Sequence, residues 1–430
     1  MQMSRWSMQQ LWRAAETAYA ITVLFSLTQG PVYRLWSDSS LSLATSPQPS
    51  MPHIYFATFV ALQLPAAMML FQRIPTGWFR DRRIQALLAL LAWLGCSVMW
   101  STLARFSLPE YVSLILTTCV GLYLAVSFSP SALWRIIAVA MSLGLVVSLT
   151  AIIRQWEFSR SIDEDYWIGI YFNRNSLAPV AAVALLAVVG VTLTNTSWKN
   201  VKGAVVMLVT TALAVLAGVT LWRAESRTSP LALGVAIGAL GGWVVLRFLL
   251  ARFAPNTSRY AAAITIVLTS IVMFMVLRWI GGSSTVSGET ATFNSRGALW
   301  SLSWTGFLEK PFHGWGWMSA WHTPQFFKQG TWWAVFDTTW SHNVYHDLLL
   351  GGGVLAAAFF TVVLWFGLRA IGTHASRNEG IPSFLIVAFV LAAATQESFF
   401  IGTHFLWALL IAGLFLSSPS RRAIDGDLVQ

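Results

Sequence analysis

Charged residues are scarce in this 430-residue sequence. Asp, Glu, Lys and Arg make up 10% of it, whereas a soluble domain carries about 25%. Hydrophobic residues account for 56%, aromatic residues for 14%, and the mean hydropathy is +0.63. Such a composition excludes an ordinary water-soluble domain, so most of the chain is expected to lie in a lipid bilayer. The net charge of +10 therefore matters through the positions of the basic residues along the chain, which indicate the orientation in the membrane. We expect no nucleic-acid partner.

Cysteine is equally scarce. Cys96 and Cys119 are the only two, and each lies inside an apolar run. Two cysteines provide neither a disulfide framework nor a four-ligand metal set. We interpret both as small buried apolar residues.

Apolar runs of about 20 residues, the length that crosses a bilayer, are abundant instead. The predicted spans lie at 14–33, 53–73, 84–104, 110–129, 131–153, 176–194, 202–222, 230–250, 260–281, 343–369, 381–399 and 402–418. The predicted fold class is an all-α integral membrane protein with about 12 transmembrane helices. We treat residues 1–430 as a single polytopic membrane domain.

The distribution of charge predicts the orientation, since an even number of spans places both termini on one side. With cytoplasmic termini, 16 of the 27 Lys and Arg residues face the cytoplasm and 11 face outward. The acidic residues divide the other way, with 5 of 17 inside and 12 outside. Basic residues concentrate on the cytoplasmic side of membrane proteins, and "FRDRR" at 79–83 is the clearest marker. We therefore expect cytoplasmic termini.

Three unusual loops then face outward, at 154–175, 223–229 and 282–342. The last lies between spans 9 and 10 and holds eight tryptophans, from Trp300 to Trp340. Because connections between helices are usually short, we expect this loop region to pack over the membrane surface. Two interpretations of its tryptophans stay open: anchoring at the headgroup level and stacking on sugar rings.

Arginines occur on the outward side, although the charge rule disfavours them there. Arg223 and Arg227 lie in "WRAESRTSP", and Arg296 lies in "FNSRGALW". A planar guanidinium binds phosphate through paired, charge-assisted hydrogen bonds. These residues therefore predict a site for a lipid phosphate or pyrophosphate, with a solvated or snorkelling side chain as the alternative for each.

Two asparagines, Asn173 and Asn175, lie in "IYFNRNSLAP" just ahead of the sixth span. Asparagine and serine cap helix N-termini, and a cap at Asn175 or Ser176 accounts for one of these residues. The doubled asparagine is not explained by a cap alone, so a supporting polar role stays open.

The segment "TTWSHNVYHDLLLGGG" at 338–353 marks the point where the long loop enters the tenth span. A neutral imidazole at His342 can accept a proton from an attacking hydroxyl. Asn343 is placed to cap the helix, and the glycines at 351–353 permit close approach of another backbone. His346 and Asp347 are supporting candidates, and a purely structural histidine is the alternative.

A metal site is the other interpretation of this segment. The four-residue spacing of His342 and His346 places both on one face if the segment is helical. Metalloproteases use H-E-x-x-H, in which the glutamate is the base, whereas this chain has Asn343 at that position. Asp347 or Glu397 would supply a third ligand, but the base is missing. We therefore expect no metal and no cofactor.

These motifs together resemble the O-antigen ligase and Wzy-type polymerase superfamily. The resemblance rests on "YFNRNSLA" (171–178), "ESRTS" (225–229), "SRGALW" (295–300), "GWGW" (314–317) and "SHN" (341–343). It covers roughly residues 170–360 together with the hydropathy pattern of the whole chain. The sequence departs mildly from the family pattern at Ala356, where the family often has a second glycine or another small residue. It also departs at His346 and Asp347, where the family is usually apolar.

The resemblance implies a GT-C-like glycosyltransferase with its active site at the periplasmic face of the bacterial inner membrane. Members transfer a glycan from undecaprenyl pyrophosphate, either to the lipid A–core acceptor as ligases or to another carrier-linked repeat as polymerases. It also implies that His342 is the essential histidine and that Arg227 and Arg296 contact the donor pyrophosphate, with Arg223 as a further candidate. We expect an inverting ligase acting as a monomer.

Three alternatives stay open. A Wzy-type polymerase needs the same donor site and differs only in its acceptor. A polytopic transporter or flippase would explain the spans, but transporters place polar residues near the bilayer midplane, and the predicted spans are dry there. A membrane metalloprotease is disfavoured by Asn343.

Overall fold

The computed structural model describes residues 5–36, 53–74, 77–161, 165–194, 201–282, 291–323, 340–374, 380–399 and 403–416. Within these residues the regular structure is helical, apart from an isolated β-bridge between Arg160 and Trp167. The α-helices are α1 Arg5–Ser26, α2 Gly30–Trp36, α3 His53–Gln72, α4 Arg82–Ser97, α5 Ala104–Ser127, α6 Pro130–Ile153, α7 Arg174–Thr194, α8 Val201–Arg223, α9 Thr228–Phe253, α10 Ala261–Gly282, α11 Ala291–Glu309, α12 Val344–His374, α13 Gly380–Ala393 and α14 Phe405–Phe415.

Eight of the described helices are long and apolar enough to cross a membrane, namely α3 to α9 and α12, while α13 and α14 are apolar but shorter. Helices suit this composition because lipid offers no partners for backbone N–H and C=O groups, which must bond within the segment. The prediction of an all-helical, multi-pass membrane protein is confirmed. The number of 12 spans and the GT-C-like architecture stay predictions.

Three predicted spans end earlier than their hydropathy indicates. The run at 14–33 is interrupted between α1 and α2, where Gln29 has a φ of 71°. The run at 84–104 is helical to Trp100. The run at 381–399 is helical to Ala393, and residues 394–399 form a turn. Hydropathy averaged over a window of about 20 residues includes the few polar residues at each break with the apolar residues around them, so it does not detect where the backbone leaves the helix.

One end of the bundle gathers the turns that the sequence predicts to face outward, and we call it the site end. The Tyr171 hydroxyl donates to Thr28 Oγ1 at 3.3 Å, which joins the segment before α7 to the α1–α2 turn. Ser226 donates to Asn175 at 2.9 Å. Gln29 in the α1–α2 turn donates to Thr403 O, just before α14, at 2.8 Å. The N–H of Val344 at the start of α12 donates to Ala394 O, just after α13, at 2.9 Å. The described parts of the three outward loops therefore share one end, while the side of the membrane stays a prediction.

A polar cluster at the other end explains the acidic residue in the first predicted span. Glu16 pairs with Arg73 and accepts a hydrogen bond from the Tyr123 hydroxyl at 3.1 Å. Arg73 also donates to Ser127 Oγ at 2.7 Å. A charge in apolar surroundings is tolerated when it is paired and hydrogen-bonded. The cluster therefore joins α1, α3 and α5.

Small residues allow the helices to pack closely. A Cβ at Gly121 of α5 would lie 2.6 Å from Ala408 O of α14, and a Cβ at Gly190 of α7 would lie 2.1 Å from the indole of Trp134. Trp243 of α9 stacks on Phe384 of α13 with ring centroids 4.4 Å apart. The first and third of these contacts involve α14 and α13, and nearly all side chains of these two helices are buried in the interior of the bundle.

A break at Gly353 divides α12. Its backbone has a φ of 67° and a ψ of −166°, which is not helical. The segment 311–316, which includes most of the GWGW motif, lies against the broken turn through three backbone bonds: Trp315 N to Leu350 O (2.7 Å), Gly316 N to Gly351 O (3.1 Å) and Val354 N to Pro311 O (2.8 Å). The predicted close backbone approach at 351–353 is confirmed.

Replacing Gly353 with alanine is expected to destabilise the protein. The new Cβ would lie 2.3 Å from Phe312 O, and the positive φ is unfavourable for a residue with a side chain. We expect a loss of about 1–3 kcal/mol, measured as a lower thermal unfolding midpoint in detergent. Gly238→Ala is the matched control, because nothing lies within 4 Å of its new Cβ. Equal midpoints for the two variants would contradict the role given to the break.

Candidate functional site

The entry to α12 positions His342 and Asn343. The Asn343 side chain accepts hydrogen bonds from the backbone N–H groups of Tyr345 (3.0 Å) and His346 (3.3 Å), so the predicted cap is confirmed. His342, just before the cap, has a φ of 52°. Left-handed backbone costs a residue with a side chain roughly 1–2 kcal/mol, and it directs the imidazole away from the path of the helix. His342 therefore occupies a turn that the cap holds in place.

The turn at 394–399, between α13 and α14, supports this entry. Asn343 Nδ2 donates to Thr395 O at 3.2 Å, and the Asn343 N–H donates to Ser398 Oγ at 2.9 Å. The N–H of Val344 donates to Ala394 O at 2.9 Å. The start of one helix and the end of another are therefore joined directly, and the side chains between them come together.

Glu397 lies at the centre of this arrangement. One carboxylate oxygen accepts from Arg296 Nη2 at 2.9 Å, and the other lies 3.3 Å from His342 Nδ1. Arg296 also donates through Nη1 to Gln396 Oε1 at 3.0 Å. The His342 and Glu397 side chains are 26% and 19% exposed, so this cluster has a narrow opening. We call these three residues the His342–Glu397–Arg296 cluster.

Asp347 lies outside this cluster, and its carboxylate accepts hydrogen bonds from three donors. Its carboxylate accepts from the Ser341 N–H (3.0 Å), from Trp321 Nε1 (3.2 Å) and from the Ser398 hydroxyl. The residue is 4% exposed. This geometry indicates that Asp347 ties α12 to the turn at 394–399 and to the segment that follows GWGW.

The His346 ring does not pair with His342 and contacts α11. Its ring stacks on Trp300, with centroids 6.0 Å apart and planes at 25°, and Trp300 Nε1 donates to Ser341 O at 3.1 Å. The interpretation that both histidines share a helix face is wrong, because α12 begins at Val344, after His342. Among the residues that the structure describes, no group of three or more His, Cys, Asp or Glu side chains is arranged to hold a metal ion.

The arginines near the α8–α9 turn differ in their pairing. Arg223 donates to Asp165 Oδ2 at 3.2 Å. The hydrogen bonds from Arg160 and Arg223 hold the pKa of the Asp165 carboxyl below its usual range. Arg227 is exposed at the start of α9, and within the described ranges no hydrogen bond or ion pair engages its side chain. Arg227 is therefore the arginine of this turn that is open to a ligand.

The two asparagines before α7 have separate roles. Asn173 accepts from the Ser176 N–H at 3.0 Å and caps α7, so the expectation of a cap at Asn175 or Ser176 is wrong. Asn175 instead accepts from Ser226, the neighbour of Arg227, at 2.9 Å. Asn175 therefore holds the turn that carries Arg227.

The predicted site residues thus form two groups at the site end. His342 and Arg296, with Asn343 beside them, meet around Glu397. Arg223, Arg227, Asn173 and Asn175 lie near the α8–α9 turn. In the described part of the chain no hydrogen bond or ion pair joins the two groups.

The residues that sequence analysis missed are those of the turn at 394–399. Glu397 entered the sequence analysis only as a possible third zinc ligand, and Gln396 and Ser398 did not enter it. The available signal was three consecutive polar residues, Gln396–Ser398, between two apolar runs.

An apolar helical bundle with eight described helices of membrane-spanning length and a cluster of ionisable groups at one end defines a multi-pass membrane protein. The family model described as O-antigen ligase matches residues 212–361, from the second half of α8 into α12. This match confirms the resemblance that the motifs predict, and it includes Arg223, Arg227, Arg296 and His342. Glu397 lies outside the matched residues. No curated protein matches the chain.

Replacing Asp347 with asparagine is expected to destabilise the protein. The amide offers one acceptor oxygen and adds two donors among groups that already donate, so buried N–H or O–H groups lose their acceptor. Each such group costs about 1–3 kcal/mol, and we expect a lower thermal midpoint in detergent. Asp165→Asn is the matched control, since the Asp165 side chain is 68% exposed and surface pairs contribute about 0–1 kcal/mol. A midpoint for Asp347→Asn equal to that of the control would refute the structural role.

Proposed function

We propose that the protein is an O-antigen ligase that transfers a glycan from undecaprenyl pyrophosphate to a sugar hydroxyl of lipid A–core. The reaction takes place at the periplasmic face of the bacterial inner membrane and uses no metal or cofactor. The observation that carries the proposal is the His342–Glu397–Arg296 cluster, which combines a candidate base with a cation at one end of an apolar bundle. Two of its three members lie in the residues matched by the family model.

The donor pyrophosphate is bound by arginine. Arg227 is exposed and open to a ligand, as described above. Arg296 uses one N–H of each terminal nitrogen for Gln396 and Glu397, and its other N–H groups remain available for phosphate oxygens. The Arg296 guanidinium, which Gln396 and Glu397 hold in place, stabilises the negative charge that develops on the leaving pyrophosphate without reorganisation. Arg223 supports the α8–α9 turn through its ion pair with Asp165. Its charge adds to the positive electrostatic potential near Arg227.

The acceptor hydroxyl is activated by His342. A sugar hydroxyl is a poor nucleophile, and a positioned base accelerates its attack by roughly 10²–10⁴-fold. Direct attack on the anomeric carbon, opposite the leaving pyrophosphate, inverts that centre. A product linkage that retains the anomeric configuration would contradict this step.

The placement of the chain follows from the same proposal. The termini are cytoplasmic, the site end faces the periplasm, and the protein acts as a monomer. The region 282–342 covers the membrane surface near the site. The packing of Leu299 and Trp315 with Leu350 supports this placement, since it fixes α11 and the following turn against α12. Parts of this region, at 283–290 and 324–339, lie outside the described residues.

A Wzy-type polymerase is the second candidate, because its donor chemistry is identical and only the acceptor differs. A transporter or flippase is disfavoured by the location of the charges. The Glu16–Arg73 pair and the His342–Glu397–Arg296 cluster lie at opposite ends of the bundle, whereas coupling sites lie near the midplane.

Reconstitution with a carrier-linked glycan tests the proposal directly. The purified protein in proteoliposomes is offered either lipid A–core or a second carrier-linked repeat, and the products are separated by mass. We expect transfer to lipid A–core, and loss of that transfer in His342→Ala without loss of folded protein. Transfer only to the second repeat would replace the ligase by the polymerase. Undiminished transfer by His342→Ala would remove the base assignment.

Replacing Arg227 with lysine is expected to weaken donor binding. Lysine keeps the charge but loses the planar fork that binds two phosphate oxygens at once. The loss of one charge-assisted hydrogen bond corresponds to a rise of about tenfold or more in the KM for the donor. Arg160→Lys is the matched control, because Arg160 lies at the same end and pairs with the exposed Asp165. Equal donor KM values for the two variants would exclude Arg227 from the pyrophosphate site.

A further inference from the structure

We propose that Glu397 is the positioning residue of the reaction: its carboxylate fixes the ring orientation and tautomer of His342 and is itself held by Arg296. This inference rests on the proposed function, since His342 is the base that Glu397 positions. It adds a residue from the turn at 394–399, outside the residues that the family model matches.

The hydrogen-bonding capacity of Glu397 and His342 determines which ring nitrogen carries the proton. An ionised carboxylate only accepts hydrogen bonds, and Glu397 Oε2 lies 3.3 Å from His342 Nδ1. Nδ1 must therefore carry the proton in the neutral ring. The lone pair is then on Nε2, at the far side of the ring from Glu397, where it can meet the acceptor hydroxyl.

Arg296 places a positive charge against the other oxygen of the Glu397 carboxylate. A carboxylate in a narrow, partly buried site needs a compensating charge, and the 2.9 Å bond to Arg296 supplies it. Gln396 holds the other terminal nitrogen of Arg296 at 3.0 Å. Arg296 therefore has a role in assembling the base in addition to its role toward pyrophosphate.

The chain on both sides of Glu397 is held by hydrogen bonds. Before it, Ala394 O and Thr395 O accept bonds from the start of α12. After it, the Ser398 side chain bridges Asn343 and Asp347. A carboxylate held on both sides keeps its position while the reaction proceeds, which is the property required of a group that orients a base.

The step balances as follows. The acceptor O–H bond breaks, and its proton forms an N–H bond at His342 Nε2. The acceptor oxygen forms a bond to the anomeric carbon while the bond from that carbon to the pyrophosphate oxygen breaks. The electron pair of that bond leaves on undecaprenyl pyrophosphate, and the new imidazolium charge lies beside Glu397.

Steady-state kinetics of Glu397→Gln provide the first test. The amide can turn its NH₂ group toward Nδ1, which favours the tautomer with the proton on Nε2, and that tautomer cannot accept a proton there. We expect kcat to fall by about 10- to 100-fold, with no rise in the donor KM. Glu397→Asp, which keeps the charge on a shorter side chain, should recover part of the loss. Glu309→Gln, an exposed carboxylate on α11, is the control and should leave kcat unchanged.

Nitrogen NMR provides a test that does not depend on transfer. With ¹⁵N-labelled histidine in nanodiscs, the His342 signals are assigned by their disappearance in His342→Ala. At a pH where the ring is neutral, we expect the proton on Nδ1 in the wild type and in Glu397→Asp, and on Nε2 in a substantial fraction of Glu397→Gln. The Nε2-protonated tautomer in the wild type would overturn the inference, as would identical spectra for wild type and Glu397→Gln.

The two tests separate the inference from the proposed function. If the wild type transfers no glycan to either acceptor, the proposed function fails, while the NMR spectra still decide whether Glu397 sets the His342 tautomer. If the wild type transfers glycan and Glu397→Gln retains full kcat, the positioning role fails and the proposed function stands. Thermal unfolding of each variant checks that it is folded. If Glu397→Gln is unfolded, the kinetics of Glu397→Asp and the wild-type NMR spectrum decide whether Glu397 positions His342.

Discussion

The satisfaction of backbone groups where a helix stops inside an apolar bundle is the constraint on which this structure depends. The end of α13 lies in buried surroundings, and the carbonyls of Ala394 and Thr395, in the turn that follows it, need donors. The start of α12 provides them through Asn343 Nδ2 and the Val344 N–H. One set of bonds therefore completes a helix end, begins another helix and brings the turn at 394–399 to the loop that holds His342. The polar chemistry of the site follows from this backbone requirement.

The same principle operates at the break in α12. The non-helical Gly353 frees backbone groups on both sides, and the segment 311–316 pairs with them. This pairing fixes the segment that follows α11, the helix that carries Arg296. The Asp347 carboxylate also connects α12 with Trp321, in the segment after GWGW, and with Ser398, in the turn at 394–399. The site is therefore held by hydrogen bonds between backbone segments and by a buried carboxylate acceptor.

Much of the membrane class and part of the site could be predicted from the sequence. Apolar runs predict spanning helices because burial depends on composition, and Asn343 was predicted as a cap because its type and position are local properties. Glu397 could not be placed this way: the polar residues Gln396–Ser398 mark an interruption of the apolar sequence, but which side chains meet there depends on the packing of the turn against the start of α12. The pairing of His342 and His346 failed for a related reason: residue spacing assumes a helix, and the backbone at His342 has a positive φ. The arginines were recognised by type, but only the fold distinguishes Arg223, which is paired with Asp165, from the open Arg227.

The distance along the chain between the three members of the cluster has a consequence for biosynthesis. Arg296 and His342 are made before α13, whereas Glu397 follows it. A nascent chain that has inserted α12 therefore contains the candidate base and the cation but not the carboxylate that joins them. The cluster is therefore completed only after α13 and the turn that follows it have been made.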